Sequence, residues 1–99
     1  MLNINETMEN QSAVVSLEGR LDTVTAPELE KALQEILPEL TELTLDFAAL
    51  DYISSAGLRV LLSTQKVMNK QGKMMLTNVN EAVMEIFEVT GFTDILTIR

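Results

Sequence analysis

Hydrophobic and polar positions change period several times along the chain, and each change marks an element. Leu2 and Ile4 alternate with Asn3 and Asn5, which predicts a first strand. Glu9-Asn10-Gln11 is a polar break of hairpin length. Ala13 to Leu17 is β-branched and apolar, so it predicts a buried second strand, antiparallel to the first. Gly19 ends that run, as a bulge or a point of close backbone approach. The segment from Gly19 to Thr25 connects to a helix. Thr25 and Glu28 have capping-box spacing there, and Pro27 sits in the first turn. Leu29, Ala32, Leu33, Ile36 and Leu37 form one stripe of that helix, and Pro38 stops it.

Period two returns at Leu43, Leu45 and Phe47, a third strand that a right-handed crossover sets parallel to the second. The next helix runs from Ala56 to about Asn69, with Leu58, Leu61, Leu62 and Met68 on one face and Gly72 beyond its end. Met74-Met75-Leu76 predicts a fourth strand. Asn78 or Asn80 caps a third helix, with Ala82, Val83, Ile86 and Phe87 inward and Thr90-Gly91 closing it. Ile95 to Ile98 predicts a short fifth strand. The order β-β-α-β-α-β-α-β implies an α/β fold: a mixed sheet of four to five strands with about three helices, mostly on one side. The expected organisation is a single domain over residues 1–99.

Composition narrows the chemistry. With no cysteine there is no disulfide framework or thiolate metal site, and with no histidine there is no Ser-His-Asp triad or imidazole ligand. No cofactor and no metal site are expected. A net charge of −8 argues against nucleic acid and anionic membranes as primary partners; it favours solubility first, and a basic docking face on a protein partner is the alternative. No apolar run reaches membrane-spanning length and the N-terminus lacks a signal-peptide pattern, so the expected location is the cytoplasm.

Candidate chemistry gathers at Ser54-Ser55-Ala56-Gly57, where the third strand gives way to a helix. Three readings fit. The serines cap the helix. One is a nucleophile, which needs an adjacent base, and only Asp51, Asp46 and distant lysines are available. Or one is a phosphate acceptor, because a helix N-terminus tolerates an anion and the added charge alters the surface without unfolding it. The missing base and the absence of a Gly-x-Ser-x-Gly elbow argue against the nucleophile and against an enzyme. Asp22, Asp46 and Asp51 read as turn and cap residues. A carboxylate cluster of Asp22 and Asp46 at one sheet edge is the alternative. Arg59, Lys66 and Lys70 form a basic ridge along the helix, either solvated or facing a partner.

Gly19-Arg20-Leu21-Asp22-Thr23-Val24-Thr25-Ala26-Pro27-Glu28-Leu29, Leu45-Asp46-Phe47 and Tyr52-Ile53-Ser54-Ser55-Ala56-Gly57-Leu58-Arg59-Val60-Leu61-Leu62 together resemble STAS domains, and more narrowly the bacterial anti-sigma factor antagonists. The resemblance spans nearly the whole chain. It implies a partner-switching cycle. The unmodified antagonist binds an anti-sigma factor that is also a serine kinase, and so frees a sigma factor. Phosphorylation at the start of the second helix breaks the complex, and a serine phosphatase restores it. Aligned on Gly57-Leu58, the acceptor falls on Ser55, the second hydroxyl position on Ala56 and the family's usual Asp on Ser54, which leaves Ser54 as a rival acceptor. Partner contact is expected from Asp22, Thr23, Ser54, Ala56, Gly57, Arg59 and Lys66. The alternative is an unphosphorylated STAS module of a lipid-transport or signalling assembly.

Overall fold

A computed structural model describes residues 1–99. The two alternating segments at the start form β1 (Leu2–Glu9) and β2 (Ser12–Leu21), joined through Asn10 and Gln11 and paired antiparallel from Leu2↔Gly19 to Glu9↔Ser12. Asn10 adopts a left-handed φ of 58°, a conformation that short hairpin loops favour. Gly19 does not end β2 as expected. It stays in the strand at φ 108°, and a side chain there would strike the Met1 carbonyl.

The first helix, α1 (Ala26–Ile36), buries Leu29 and Leu33. A 3-10 turn over Leu37–Glu39, with Pro38 inside it, then ends the helical run. The chain returns as β3 (Glu42–Ile53), parallel to β2. It then forms α2 (Ser55–Gln71), β4 (Lys73–Thr77, parallel to β3) and α3 (Glu81–Thr90). The sheet order is β1-β2-β3-β4. The expected fifth strand is a single parallel bridge, Leu76↔Ile98, because the N–H groups of Ile95 and Leu96 are bonded back to the Phe92 carbonyl.

The core lies between one face of the sheet and the helices. Ala13, Val15, Leu17, Leu43, Leu45, Phe47, Met74 and Leu76 alternate inward and are buried, while Val14, Glu18 and Lys73 face solvent. Phe87 of α3 meets Phe47 with ring centroids 6.3 Å apart, and Phe92 stacks on Phe87 at 6.5 Å. Ala82, expected inward, is exposed; Val83 and Phe87 carry the buried stripe.

The strand β3 departs from simple alternation. Five steps along β2 (Ser16 to Leu21) match seven along β3 (Asp46 to Ile53), so β3 carries two extra residues at two register shifts. Leu50 and Ile53 turn inward, while Asp51 and Tyr52 face out. Asp51 therefore belongs to the strand and not to the following turn, as the sequence had suggested. Asn80, not Asn78, caps α3: its Oδ1 accepts from Val83 N–H at 2.8 Å. Its Nδ2 donates to the Leu50 carbonyl at 2.8 Å, in the bulged segment. Asn78 instead takes a left-handed φ of 58° and donates to Asp46 Oδ1 at 3.0 Å.

Asn80 thus holds a helix cap and a bulge carbonyl together. Asn80→Ala is expected to lower the unfolding free energy by about 1–3 kcal/mol. Asn80→Asp, which keeps the cap and loses the donor, should fall between that variant and the unaltered chain in urea denaturation.

Candidate partner-docking site

The carboxyl ends of β2 and β3 stop side by side, with Leu21 opposite Ile53. Two turns leave from there. One runs from Asp22 to Thr25 into α1; the other is Ser54, which starts α2. A backbone bond from Ser54 N–H to the Leu21 carbonyl, 2.9 Å, ties the two together.

The Asp22–Thr25 turn is closed by side chains. Asp22 Oδ1 accepts from the N–H groups of Val24 at 3.0 Å and Thr25 at 3.1 Å. The Thr25 hydroxyl donates to the Arg20 carbonyl at 2.8 Å and accepts from Asp22 N–H at 2.9 Å. This buried hydroxyl is fully occupied inside the turn, so the capping box expected from Thr25 and Glu28 does not form. The backbone N–H of Thr25 is the main cause that holds the Asp22 carboxyl below its ordinary range. The Thr25 hydroxyl, Val24 N–H and the terminal ammonium act in the same direction, and desolvation opposes them.

The second turn is shaped by close packing. A Cβ on Gly57 would lie 2.7 Å from Leu21 Cγ and 2.8 Å from Ile53 Cγ1, so only glycine lets α2 start this near the sheet. Ser54 has the extended backbone of an N-cap residue (φ −102°, ψ 177°), yet its hydroxyl makes no cap bond. The Ser54 Oγ is buried and has no hydrogen-bond partner. Ser55, the first residue of α2, is exposed. The two serines therefore differ sharply in access, which their adjacency in sequence did not indicate.

Around them, Thr23 and Arg59 are exposed, Ala56 is half-buried and Gly57 is buried. Thr23, Ala26, Pro27, Glu30, Ala56, Arg59, Val60 and Ser63 line a groove of about 320 Å³ between α1 and α2. Ala26, Pro27, Glu30, Val60 and Ser63 were not among the expected contacts; of these Glu30 and Ser63 belong to no motif and follow only from how the helices pack. Lys66 lies on the same stripe of α2, but about 16 Å further along the axis from Ser55 at 1.5 Å per residue. It belongs to the ridge and not to the turn. Asp46 is likewise remote from Asp22. It pairs with Ser16, five residues before Leu21, and accepts from Ala48 N–H at 3.0 Å and from Asn78. The alternative of an Asp22–Asp46 cluster fails because β3 continues for seven residues beyond Asp46. No cluster of three or more His, Cys, Asp or Glu is suited to a metal ion.

Comparison with known proteins adds identity to this geometry. A family model described as STAS domain matches residues 3–99. The anti-sigma-B factor antagonist of Bacillus subtilis (strain 168) is 31% identical over 100 residues, covering 98% of this chain and 92% of that protein. That of Staphylococcus aureus (strain NCTC 8325) is 30% identical, covering 96% and 90%. Among solved structures, an anti-sigma factor antagonist from Mycobacterium paratuberculosis superposes with a TM-score of 0.90 at 24% identity, covering 99% of this chain and 85% of that one. The Bacillus cell fate determinant SpoIIAA in its phosphorylated form gives 0.77 at 17% identity, covering 98% and 91%.

Two expectations follow from the turn. Gly57→Ala forces the start of α2 away from Leu21 and Ile53, with an expected loss of about 1–3 kcal/mol in denaturant unfolding. Asp22, with its folded pKa depressed, stabilises the fold above its unfolded pKa. That contribution is lost as pH falls through the folded value. Asp22→Asn should therefore be less stable than the unaltered chain near about pH 7, and the gap should close below about pH 4. A gap that is constant across that range would show that the carboxylate charge plays no part.

Proposed function

The chain belongs to the STAS domain family, and on that premise we propose that it is an anti-sigma factor antagonist switched by phosphorylation of Ser55. The unmodified chain binds an anti-sigma factor that doubles as a serine kinase, and a sigma factor is released. The docking tip comprises the Asp22–Thr25 turn and the first turns of α2, with Thr23, Ala56, Gly57 and Arg59 around Ser55. The Lys66 end of the ridge extends the contact along α2. No helix is long and apolar enough to cross a membrane, and the proposed setting is the cytoplasm.

One observation carries the choice of acceptor. The Ser55 side chain is exposed at the first position of α2, whereas the Ser54 hydroxyl is sealed beneath the turn. A kinase needs its acceptor oxygen in solvent, so access favours Ser55 over Ser54. A phosphate on Ser55 would meet the positive end of the α2 dipole, with Arg59 one turn along. The domain would keep its fold while gaining about −1.5 to −2 charge where the partner docks. SpoIIAA has been solved phosphorylated with the same overall fold, so this architecture is compatible with the modification. A serine phosphatase closes the cycle. Function on this reading lies in binding and not in catalysis.

The test is incubation with ATP and the cognate anti-sigma kinase, followed by mass spectrometry. Phosphate should appear on the unaltered chain and on Ser54→Ala, and be absent from Ser55→Ala. Incorporation that survives Ser55→Ala removes the assignment. Ser55→Asp should weaken binding to the same partner about tenfold or more, equivalent to about 1.4 kcal/mol.

A further inference from the structure

The face of the sheet opposite the helices is built mostly from small and polar side chains, such as Asn5, Ser16, Thr44 and Thr77. One end differs. The chain has one tyrosine and three phenylalanines. The phenylalanines serve the core, with Phe47 and Phe87 fully buried and Phe92 packed against them. Tyr52 is 37% exposed, on the solvent side of the bulged segment. The register shift between Gly19 and Arg20 sets Arg20 directly opposite Tyr52, and the Arg20 guanidinium lies over the Tyr52 ring, 4.3 Å from its centroid.

We propose that Arg20 and Tyr52 form a second docking patch, on which the partner seats a carboxylate against Arg20. This rests on the reading of the chain as an antagonist, and the occupant is the same protein that docks over Ser55. Three observations point to it. First, the Arg20 guanidinium makes no hydrogen bond within the chain; besides the ring it has only a long contact of 3.8 Å to Asp22 Oδ2. Its donor fork is therefore open to a carboxylate, and stacking on Tyr52 restricts its orientation before binding. Second, Arg and Tyr are the residue types that dominate binding energy at protein interfaces. Third, the patch is continuous with the tip. The Arg20 carbonyl accepts from the Thr25 hydroxyl, and the next residue but one is Asp22. In a chain of net charge −8, a pre-oriented cation beside Asp22 also fixes how a mixed-charge partner can be turned, so the patch sets orientation as well as affinity.

Calorimetric titration of the full chain with each purified anti-sigma factor of the source organism tests this. The unaltered chain should bind one of them. Arg20→Gln and Tyr52→Leu should each weaken that binding about tenfold. Arg20→Lys should restore little of the loss, because an ammonium neither stacks nor forks. Melting temperatures within about 2 °C of the unaltered chain separate lost contact from lost fold. Unchanged affinity for Arg20→Gln and Tyr52→Leu, with Ser55→Asp still weakened, overturns the patch and leaves the antagonist reading standing. Failure of the unaltered chain to bind any anti-sigma factor overturns that reading, and the patch with it.

Discussion

The seating of Gly57 on Leu21 and Ile53 is the constraint on which the site depends. Those two residues end neighbouring parallel strands in register, and the helix that follows begins within van der Waals reach of both. Backbone bonds then complete the join, from Ser54 N–H to Leu21 and from Leu58 N–H to Ser54 at 3.0 Å. Packing and backbone therefore set where α2 starts, and neither serine hydroxyl is used to cap it. The same seating turns Ser54 under the turn and Ser55 out of it. A hydroxyl that contributes nothing to the cap can be modified without dismantling the helix.

The irregularity of β3 has a comparable reach. Two extra residues between Asp46 and Ile53 change the alternation, so that Leu50 and Ile53 both enter the core while Asp51 and Tyr52 both leave it. Bulges of this kind free backbone groups, and buried ones must find partners. Here the Leu50 carbonyl finds the Asn80 side chain, which also caps α3. One asparagine therefore couples the position of the third helix to the strand that carries Tyr52. The extra length also separates Asp46 from the tip, which leaves Asp22 as the carboxylate that organises the turn.

The architecture was legible because it is written in period. Alternation at Leu43, Leu45 and Phe47, and the stripe through Leu29 and Leu33, survive intact as strand and helix, and the crossover rule orders them correctly. The Ser54–Gly57 turn was legible as a place. Its inner workings were not, for physical reasons. The spacing of Thr25 and Glu28 suits a capping box, but the Arg20 carbonyl and Asp22 N–H claim the Thr25 hydroxyl first. Ser54 and Ser55 are identical in type, and only the approach of the sheet distinguishes them. The pairing of Arg20 with Tyr52 depends on a register shift between strands far apart in sequence, for which no local pattern exists. Ile95 to Ile98 has strand-like composition, but pairing needs the segment to lie along β4, and it meets that strand at one bridge.

On the proposed reading, location, more than amount, would make a phosphate on Ser55 effective. The chain already carries −8, so an added charge of about −2 changes the total only modestly. Surface charges are screened within about 8 Å at physiological salt, so distant parts of a partner would not sense it. At the tip the balance is different. Asp22 is held ionised by the N–H groups of its own turn, and the first turn of α2 contains no acidic residue. The phosphate would stand beside one fixed carboxylate, at the surface a docked partner has to desolvate. A free chain would gain from the helix dipole, while a bound chain would lose contact energy to repulsion and desolvation. On the proposed reading the modification would thus act on the difference between the two states, and the fold that presents Ser55 would not need to move.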